Sequence, residues 1–418
     1  MSGAKIELRG VSWGHTRGML PLHATAMALQ DQGQPLQVQW EVRSLQHFAD
    51  QSVAQLAQRY DLLVIDHPSI GEAVHAGAFL PLDKWVPAQA LQDLARHSVG
   101  VSHWSYQYPD EQGQVRQWAL ALDAATPVAA WPQGQTQRPA DISDLLEWGR
   151  AGRLSMAAWP LDMLMHFYGI CEALGEAPFL RPSALVAAEV GEQALVLLRS
   201  ISDACGPQAQ QSNPIAALRR LALQPGKALA PQFCPMAYGY SNYARRPLPG
   251  QRRLSFGSVP TLGGRPWRTT LGGAGIAVSA HCANPEAAAQ HALWLAGAQV
   301  QTGLYTEAGG QPGHRQAWLD EFNNDMTGGY FRDTLAQLDS AYLRPRYPGY
   351  IEFQSEGTEV MARYLRHELD TKAALAQLQE ADVRHRKGWL NHDDARLHAL
   401  AQALRAAPGV ESEGGTHD

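Results

Sequence analysis

The chain has 418 residues, more than one hydrophobic core usually organises, so two lobes or domains are expected. Hydrophobic residues make up 45% and charged residues 18%, which excludes an intrinsically disordered chain. The net charge of −6 argues against nucleic acid as a partner, and no run reaches the roughly 18 apolar residues of a membrane span, so we expect a protein that is not membrane-embedded.

The first 85 residues alternate between strand and helix patterns. In chain order the segments are "KIELRGVSW", "GMLPLHATAMALQDQG", "LQVQWEVR", "FADQSVAQLAQRY" and "DLLVID". A βαβαβ order predicts a parallel sheet flanked by helices, with ligands bound beyond the carboxyl ends of the strands. The loops "WGHTRG" and "DHPSIGEA" are therefore expected beside a ligand.

The next segment, "QVRQWALALDAATPVAAW" (Gln114–Trp131), is read as a strand that leads into a second lobe. Helical spacing dominates from there to about Pro231, and strand and turn character returns in "CPMAYGYSNYAR" and "LSFGSVPTLGG". A strand and an alanine-rich helix follow within Thr269–Gly297. From Thr334 onward helices dominate, and the final "APGVESEGGTHD" is expected to fray.

Several motifs in the second half occur in a recognisable order. A "GGAG" strand entry precedes "IAVSA", an "NPEAA" helix start and the loop "AGGQP", Ala308–Pro312. This order resembles the extracellular solute-binding protein family 1 of ABC importers, the carbohydrate-type group. "YDLLVIDHPSIGEAVHAGAFLPLD" is similar to the loop after the second strand of that family.

The resemblance implies an α/β, bilobed periplasmic-binding-protein-like type II (Venus-flytrap) fold. Residues 1–122 with 265–325 would form the first α/β lobe, and residues 123–264 with 326–418 a second, more helical lobe. Hinge strands would cross near Leu120–Thr126, near Ser258–Arg265 and around Asp325–Thr334. A cleft between the lobes would capture a small polar ligand, a sugar, polyol or carboxylate, for a monomeric protein that serves an ABC permease.

Two loops carry candidate ligand-binding residues of the first lobe. Trp13, His15 and Arg17 offer an aromatic face, an imidazole and a guanidinium beside a helix N-terminus, which suits an anionic ligand. A solvated loop is the alternative. Asp66 and His67 follow the apolar run "LLVI" and can accept ligand hydroxyls or amines; a helix-capping Asp with a loop His is the alternative.

Further candidates lie near the expected hinges. The resemblance places Asp123 and Thr126 on the first hinge, where family members contact ligand. Tyr238 and Tyr240 share one face if their segment is a strand, and they offer stacking surfaces, although core packing remains the alternative for at least one of them. Trp159 precedes a helix of the second lobe and is either a stacking platform or a core residue.

The glycines at Gly272 and Gly273 do not fit a phosphate-binding loop, because they precede a strand and no G-K-[ST] follows. Glycine permits close approach of a ligand or a strand bulge, and both readings stay open. Tyr305 and the "GGQP" loop, which contains Gly310, are expected to line the first-lobe side of the cleft. Arg344 is a further ligand-binding candidate. Arg344 and its neighbour Arg346 suit a ligand carboxylate, with surface arginines as the alternative.

No catalytic residue, cofactor or metal site is predicted. The H-E-x-x-H motif is absent, the cysteines form no CxxC pair, and the sequence shows no cluster of metal ligands. The alternative is a cytoplasmic sensor or enzyme on the same fold that acts on a small carboxylate, with Asp66, His67 and Asp123 as acid–base groups. The expected location is periplasmic if a leader preceded this sequence and cytoplasmic if the sequence is complete.

Overall fold

A computed structural model of the protein describes residues 5–43, 52–224, 230–389 and 393–406. Its strands are β1 (Ile6–Trp13), β2 (Leu36–Arg43), β3 (Leu62–Ile65), β4 (Gln107–Pro109), β5 (Val115–Gln117), β6 (Ala119–Ala125), β7 (Pro127–Pro132), β8 (Cys234–Tyr238), β9 (Leu254–Gly257) and β10 (Gly272–Val278).

The helices of the first half are Thr16–Asp31, Val53–Ala57, Ile70–His75, Ala88–Arg96, Ser102–Ser105, Leu145–Arg150, Pro160–Ala173, Ala188–Cys205 and Pro214–Ala222. Those of the second half are Pro285–Ala296, Ala298–Val300, Arg315–Leu319, Glu321–Met326, Tyr330–Asp339, Tyr350–Leu365, Thr371–Arg386 and Asp393–Ala406. Short 3₁₀ turns cover His67–Ser69, Leu82–Lys84, Ile142–Asp144, Ala209–Gln211 and Ser241–Ala244, and a π-helical turn covers Gln301–Tyr305.

The first lobe is built on a five-stranded sheet of order β2-β1-β3-β10-β6. The predicted parallel pairing holds for β1 with β2 and for β1 with β3, whereas β10 is antiparallel to both β3 and β6. The sheet is mixed because β10 returns from the second lobe and runs against its neighbours. The carboxyl ends of β1, β3 and β6 and the amino end of β10 therefore meet at one edge.

Strand β3 shows why this sheet forms the centre of the lobe. All four of its residues are buried: Leu62 and Val64 pack into one apolar cluster, and Leu63 and Ile65 into another on the opposite face. Alternate side chains of a strand point to opposite faces, so a continuous apolar run requires cover on both sides. Helix Pro285–Ala296 packs into the first of these clusters through its alanines.

The second lobe is mainly helical. Its sheet has three antiparallel strands in the order β8-β7-β9. Helices Pro160–Ala173, Ala188–Cys205, Tyr350–Leu365 and Thr371–Arg386 pack around a core rich in aromatic residues, in which the Phe179 ring makes edge-to-face contacts with three neighbouring rings.

The chain crosses between the two sheets at Thr126, which separates β6 from β7. The return crossing runs through 269–271, where the Thr269 hydroxyl lies 2.7 Å from that of Thr126 and the Leu271 amide donates to the carbonyl of Tyr342 (2.7 Å). A third crossing lies at Tyr342, which pairs with Thr270, so the three crossings lie side by side.

Two crossings differ from their expected positions. The segment expected to hold the second, Ser258–Arg265, stays in the second lobe, because Thr261 pairs with Asp141 and the chain turns back between Leu262 and Arg265. The third crossing lies at Tyr342 rather than around 325–334, since helix Tyr330–Asp339 occupies that range.

Parts of two sequence predictions lie outside the described residues: the start of the helix expected in 48–60 and the fraying end, 407–418. Within the described ranges, no helix combines the length and apolar character needed to cross a membrane.

Candidate functional site

The loop after β1 opens the site at the edge where the strands end. Trp13 lies over the first turn of helix Thr16–Asp31, and a Cβ at Gly18 would lie 2.5 Å from its indole ring. His15 caps this helix, because its Nδ1 accepts a hydrogen bond from the Arg17 amide (3.1 Å). Burial, with the Arg17 charge, lowers the pKa of His15 to about 4, so the imidazole is neutral at pH 7.

Arg17 is buried and fully engaged. Its Nε donates to Asp123 Oδ2 (2.7 Å), its Nη2 contacts the other Asp123 oxygen, and its Nη1 donates to the carbonyl of Gly239 (2.7 Å). The guanidinium also lies 4.7 Å from the centre of the Tyr240 ring. Burial lowers the pKa of Arg17, but Asp123 outweighs it and the net pKa is raised. This pair joins the first lobe to the first crossing.

Asp66 lies at the end of β3 and faces Arg344 from the third crossing. The Arg344 Nη2 donates to both carboxylate oxygens (2.8 and 2.7 Å), while its Nε donates to the Leu271 carbonyl (3.1 Å). Burial raises the pKa of Asp66, but Arg344 and His67 together lower it more, so the net pKa is well below its ordinary value. The half-exposed Asp66 carboxylate therefore stays charged and ties the first lobe to the third crossing.

His67 is 1% exposed, and its Nδ1 lies 3.2 Å from Asp66 Oδ1. Burial, together with Arg344, lowers the pKa of His67 to about 4, so the imidazole is neutral at pH 7 and orients the carboxylate by hydrogen bonding. Its Nε2 is buried without a hydrogen-bond partner among the described residues.

Aromatic faces gather around the amino end of β10. The Tyr240 ring meets His15 edge to face, with centroids 4.8 Å apart, and the Tyr238 hydroxyl lies 2.8 Å from that of Thr270. A Cβ at Gly272 would lie 2.5 Å from the Tyr238 ring, so Gly272 leaves room for this tyrosine. Gly273 has φ +116° at the strand entry and packs against the backbone of Asp123. Both glycines contact protein groups.

The second lobe contributes Trp159 and a carboxylate that was not predicted. Trp159 is 46% exposed and precedes helix Pro160–Ala173, whose first turn carries the buried Asp162. The charge of Asp162 contributes to raising the pKa of both Tyr238 and Tyr240, in which burial is the largest cause. Burial raises the pKa of Asp162 itself to about 8, with no charge or hydrogen bond of the described residues offsetting it. No sequence motif marked this residue.

Three predicted residues take part in packing or in the crossing. Tyr305 is 1% exposed in the first-lobe core, and Gly310 provides the space that its ring occupies. The Thr126 hydroxyl is engaged with Thr269 and with the carbonyl of Thr270 (3.0 Å). Tyr305 and Gly310 therefore contribute to packing of the first lobe, and Thr126 holds the crossing together.

The "GGQP" loop reaches the crossing through a residue that the sequence reading did not select. The buried Gln311 side chain donates to the Ala124 carbonyl (2.8 Å) and accepts from the Ser241 amide (3.0 Å). Arg346 is also buried: it donates to the carbonyls of Trp104 (2.9 Å) and Ser105 (3.2 Å) in the first lobe.

A G-x-S-x-G match, Gly10–Gly14, bears on the question of an enzyme. In hydrolases this motif places its serine on a sharp turn between a strand and a helix. Here Ser12 lies within β1 and is 1% exposed. The serine is therefore held in a strand rather than presented on such a turn.

Comparison with known proteins finds the same architecture in solved structures. No protein-family model and no curated protein sequence matches the chain. The fold is the bilobed, periplasmic-binding-protein-like fold. A maltose-bound MalE3 of T. maritima matches with a TM-score of 0.74 at 15% identity, over 90% of this chain and 98% of that one.

Two further structures extend the likeness. An ABC transporter solute-binding protein from Agrobacterium radiobacter K84, in complex with ribitol, matches with a TM-score of 0.71 at 16% identity, over 92% of this chain and 99% of that one. The GacH receptor of Streptomyces glaucescens GLA.O, described unliganded and with acarbose, matches with a TM-score of 0.70 at 13% identity, over 92% and 99%. At these identities the likeness is one of fold.

Proposed function

We propose that this protein is a solute-binding protein that captures a sugar or polyol between its lobes for an ABC-type uptake system. The observation that carries the proposal is the convergence of the Trp13–Arg17 loop, Asp66, Tyr238 and Tyr240 at the edge where the chain crosses between two sheets. Solute-binding proteins of this fold in complex with maltose and with ribitol support it.

The ligand class follows from how the charges are paired. Arg17 is neutralised by Asp123 and Arg344 by Asp66, so a carboxylate ligand would have to displace a protein carboxylate from either arginine. The aromatic faces and the Asp162 carboxyl are available to a ligand, and because the pKa of Asp162 is about 8, its carboxyl is mostly protonated at pH 7 and can donate as well as accept a hydrogen bond. Flat apolar faces with a few hydrogen-bonding groups suit a sugar or polyol better than an acid.

Capture requires the lobes to approach each other around the ligand. The chain crosses three times at one edge, and the Asp66–Arg344 contact links the first lobe to the third crossing. A ligand that contacts both lobes favours the closed arrangement by its differential affinity. We infer hinge closure from this connectivity.

Calorimetric titration with maltose, ribitol, D-mannitol and, as the acid, succinate tests the proposal. We expect one sugar or polyol to bind with 1:1 stoichiometry and succinate not to bind. Trp159→Ala should weaken binding about tenfold through loss of a stacking face, whereas Trp389→Ala, at a similarly exposed tryptophan (46% and 51%), should leave it unchanged. Binding of succinate alone, or equal affinity in both variants, would contradict the proposal.

Recovery of the bound compound separates capture from catalysis. We expect mass spectrometry to return the ligand chemically unchanged after prolonged incubation. Conversion that His67→Ala abolishes would instead favour an enzyme on this fold.

A further inference from the structure

Three potential metal ligands from distant parts of the first lobe meet outside the interlobe site. Asp93 and His97 lie one turn apart at the end of helix Ala88–Arg96, and His314 is more than 200 residues further along. One ring nitrogen of each histidine and one oxygen of Asp93 all lie within 4.8 Å of one another. Sequence spacing could not reveal this cluster.

The backbone holds the two histidine segments in register. Ser98 and His314 form an antiparallel β-bridge, and the Arg315 amide donates to the carbonyl of His97 (2.6 Å). The imidazole rings stack with their centroids 5.1 Å apart and their planes at 17°. Asp93 contacts His97 Nδ1 through both its carbonyl (3.0 Å) and its carboxylate (3.2 Å). The three side chains are therefore positioned before any ion binds.

His314 has unused bonding capacity. Its side chain is 3% exposed, and within the described ranges its buried Nε2 has no hydrogen-bond partner. Among the described residues, its Nδ1 accepts one long contact, from the Gln316 amide (3.4 Å). A cavity of about 10 Å³, the space of roughly one water-sized particle, lies beside the ring and is also lined by His103. Buried polar atoms are usually satisfied, so this imidazole is missing a partner.

We propose that Asp93, His97 and His314 form a binding site for a divalent transition metal ion, with Zn²⁺ as the best-matched ion. Two imidazoles and one carboxylate are a ligand set that Zn²⁺ accepts. Donors about 2.0–2.2 Å from the ion lie within roughly 4 Å of one another, so small rotations of the partly exposed Asp93 and His97 side chains complete the site. Water would occupy the fourth position.

The ion would join helix Ala88–Arg96 to the segment that begins helix Arg315–Leu319. Asp339 is close to both, because Arg315 forms an ion pair with it and the amide of Gly100, four residues beyond helix Ala88–Arg96, donates to its carboxylate (2.9 Å). The site would therefore stabilise the part of the first lobe that packs on helix Tyr330–Asp339.

Metal binding to untagged protein, stripped with a chelator, tests the site. We expect one Zn²⁺ per chain by elemental mass spectrometry, and a d–d absorption spectrum of reduced coordination number when Co²⁺ is used instead. His97→Ala should lower Zn²⁺ affinity at least ~10–100-fold, the range seen when even an outer partner of a metal ligand is removed. The matched control is His75→Ala, an exposed helical histidine that should leave the affinity unchanged.

A second variant guards against loss of the fold. His314→Gln keeps a buried polar side chain and should also lose the Co²⁺ spectrum while circular dichroism remains that of the parent protein. Absence of stoichiometric Zn²⁺ in the parent protein, or equal affinity in His97→Ala and His75→Ala, would overturn the proposal.

Discussion

Asp123→Asn tests the account of the first crossing, because it removes the charge that compensates Arg17. The side chains of Arg17 and Asp123 are 5% and 1% exposed, so solvent cannot replace the lost carboxylate. Removing one member of a buried ion pair typically costs about 3–5 kcal/mol, since it leaves an uncompensated buried charge. We expect the free energy of unfolding to fall by about that amount, measured by urea denaturation with tryptophan fluorescence.

The control is a solvent-exposed ion pair with a similar donor–acceptor distance. Glu41→Gln removes the partner of Arg9 (2.8 Å), but both side chains are about half exposed, 54% and 52%. Water and salt screen such a pair, and the glutamine oxygen can still accept from the Tyr60 hydroxyl (2.6 Å in the parent protein), so a change of less than about 1 kcal/mol is expected. The contrast between the two variants isolates burial as the cause.

A double variant separates charge from packing. Arg17→Met combined with Asp123→Leu removes both charges, which should restore much of the lost stability. The Gly239 carbonyl then loses its donor (2.7 Å), so a deficit of about 1–3 kcal/mol should remain. A loss below about 1 kcal/mol in Asp123→Asn, or no recovery in the double variant, would refute the reasoning.

Three further predictions concern Gly273, Asp66 and Asp162. Gly273→Ala should lower the free energy of unfolding more than Gly77→Ala does. Both positions have positive φ (+116° and +61°), but of the two only Gly273 packs against backbone atoms. Thermal unfolding of the two variants measures the difference. Arg344 depresses the pKa of Asp66. The stabilising contribution of this carboxylate is therefore present above the unfolded pKa of about 4 and is lost as pH falls through the folded value. The difference in free energy of unfolding between the parent protein and Asp66→Asn should shrink between pH 5 and pH 3. Burial raises the pKa of Asp162 to about 8, so the folded state binds more protons than the unfolded state between pH 4 and pH 8. The free energy of unfolding therefore falls as pH rises through this range. Asp162→Asn should stabilise the protein more at pH 9 than at pH 5, and equal effects at the two pH values would contradict this assignment.

Local patterns in the sequence were sufficient to predict the first strands. The alternation up to β3 gave the parallel core, and the rule that ligands bind beyond strand ends selected the loops that hold Trp13, Arg17 and Asp66. The prediction of the parallel strands succeeded because it depends on residues close together in the chain.

Pairing between distant segments could not be predicted. Arg17 and Asp123 are 106 residues apart and Asp66 and Arg344 are 278 apart, so each appeared as a separate ligand contact rather than as half of an ion pair. Tyr305 was expected beside the cleft with the "GGQP" loop, and the sequence could not show that Gly310 of this loop leaves the space that its ring occupies. Asp162 was overlooked because a carboxylate in the first turn of a helix is ordinary, and only its burial makes it unusual.

Native mass spectrometry of the purified protein against a pooled set of sugars, polyols and carboxylates tests the central claim most directly. We predict a 1:1 complex with a sugar or polyol, released unchanged on unfolding and lost in Asp162→Ala. A complex with a carboxylate only, a converted product, or no complex with any member of the pool would contradict the claim.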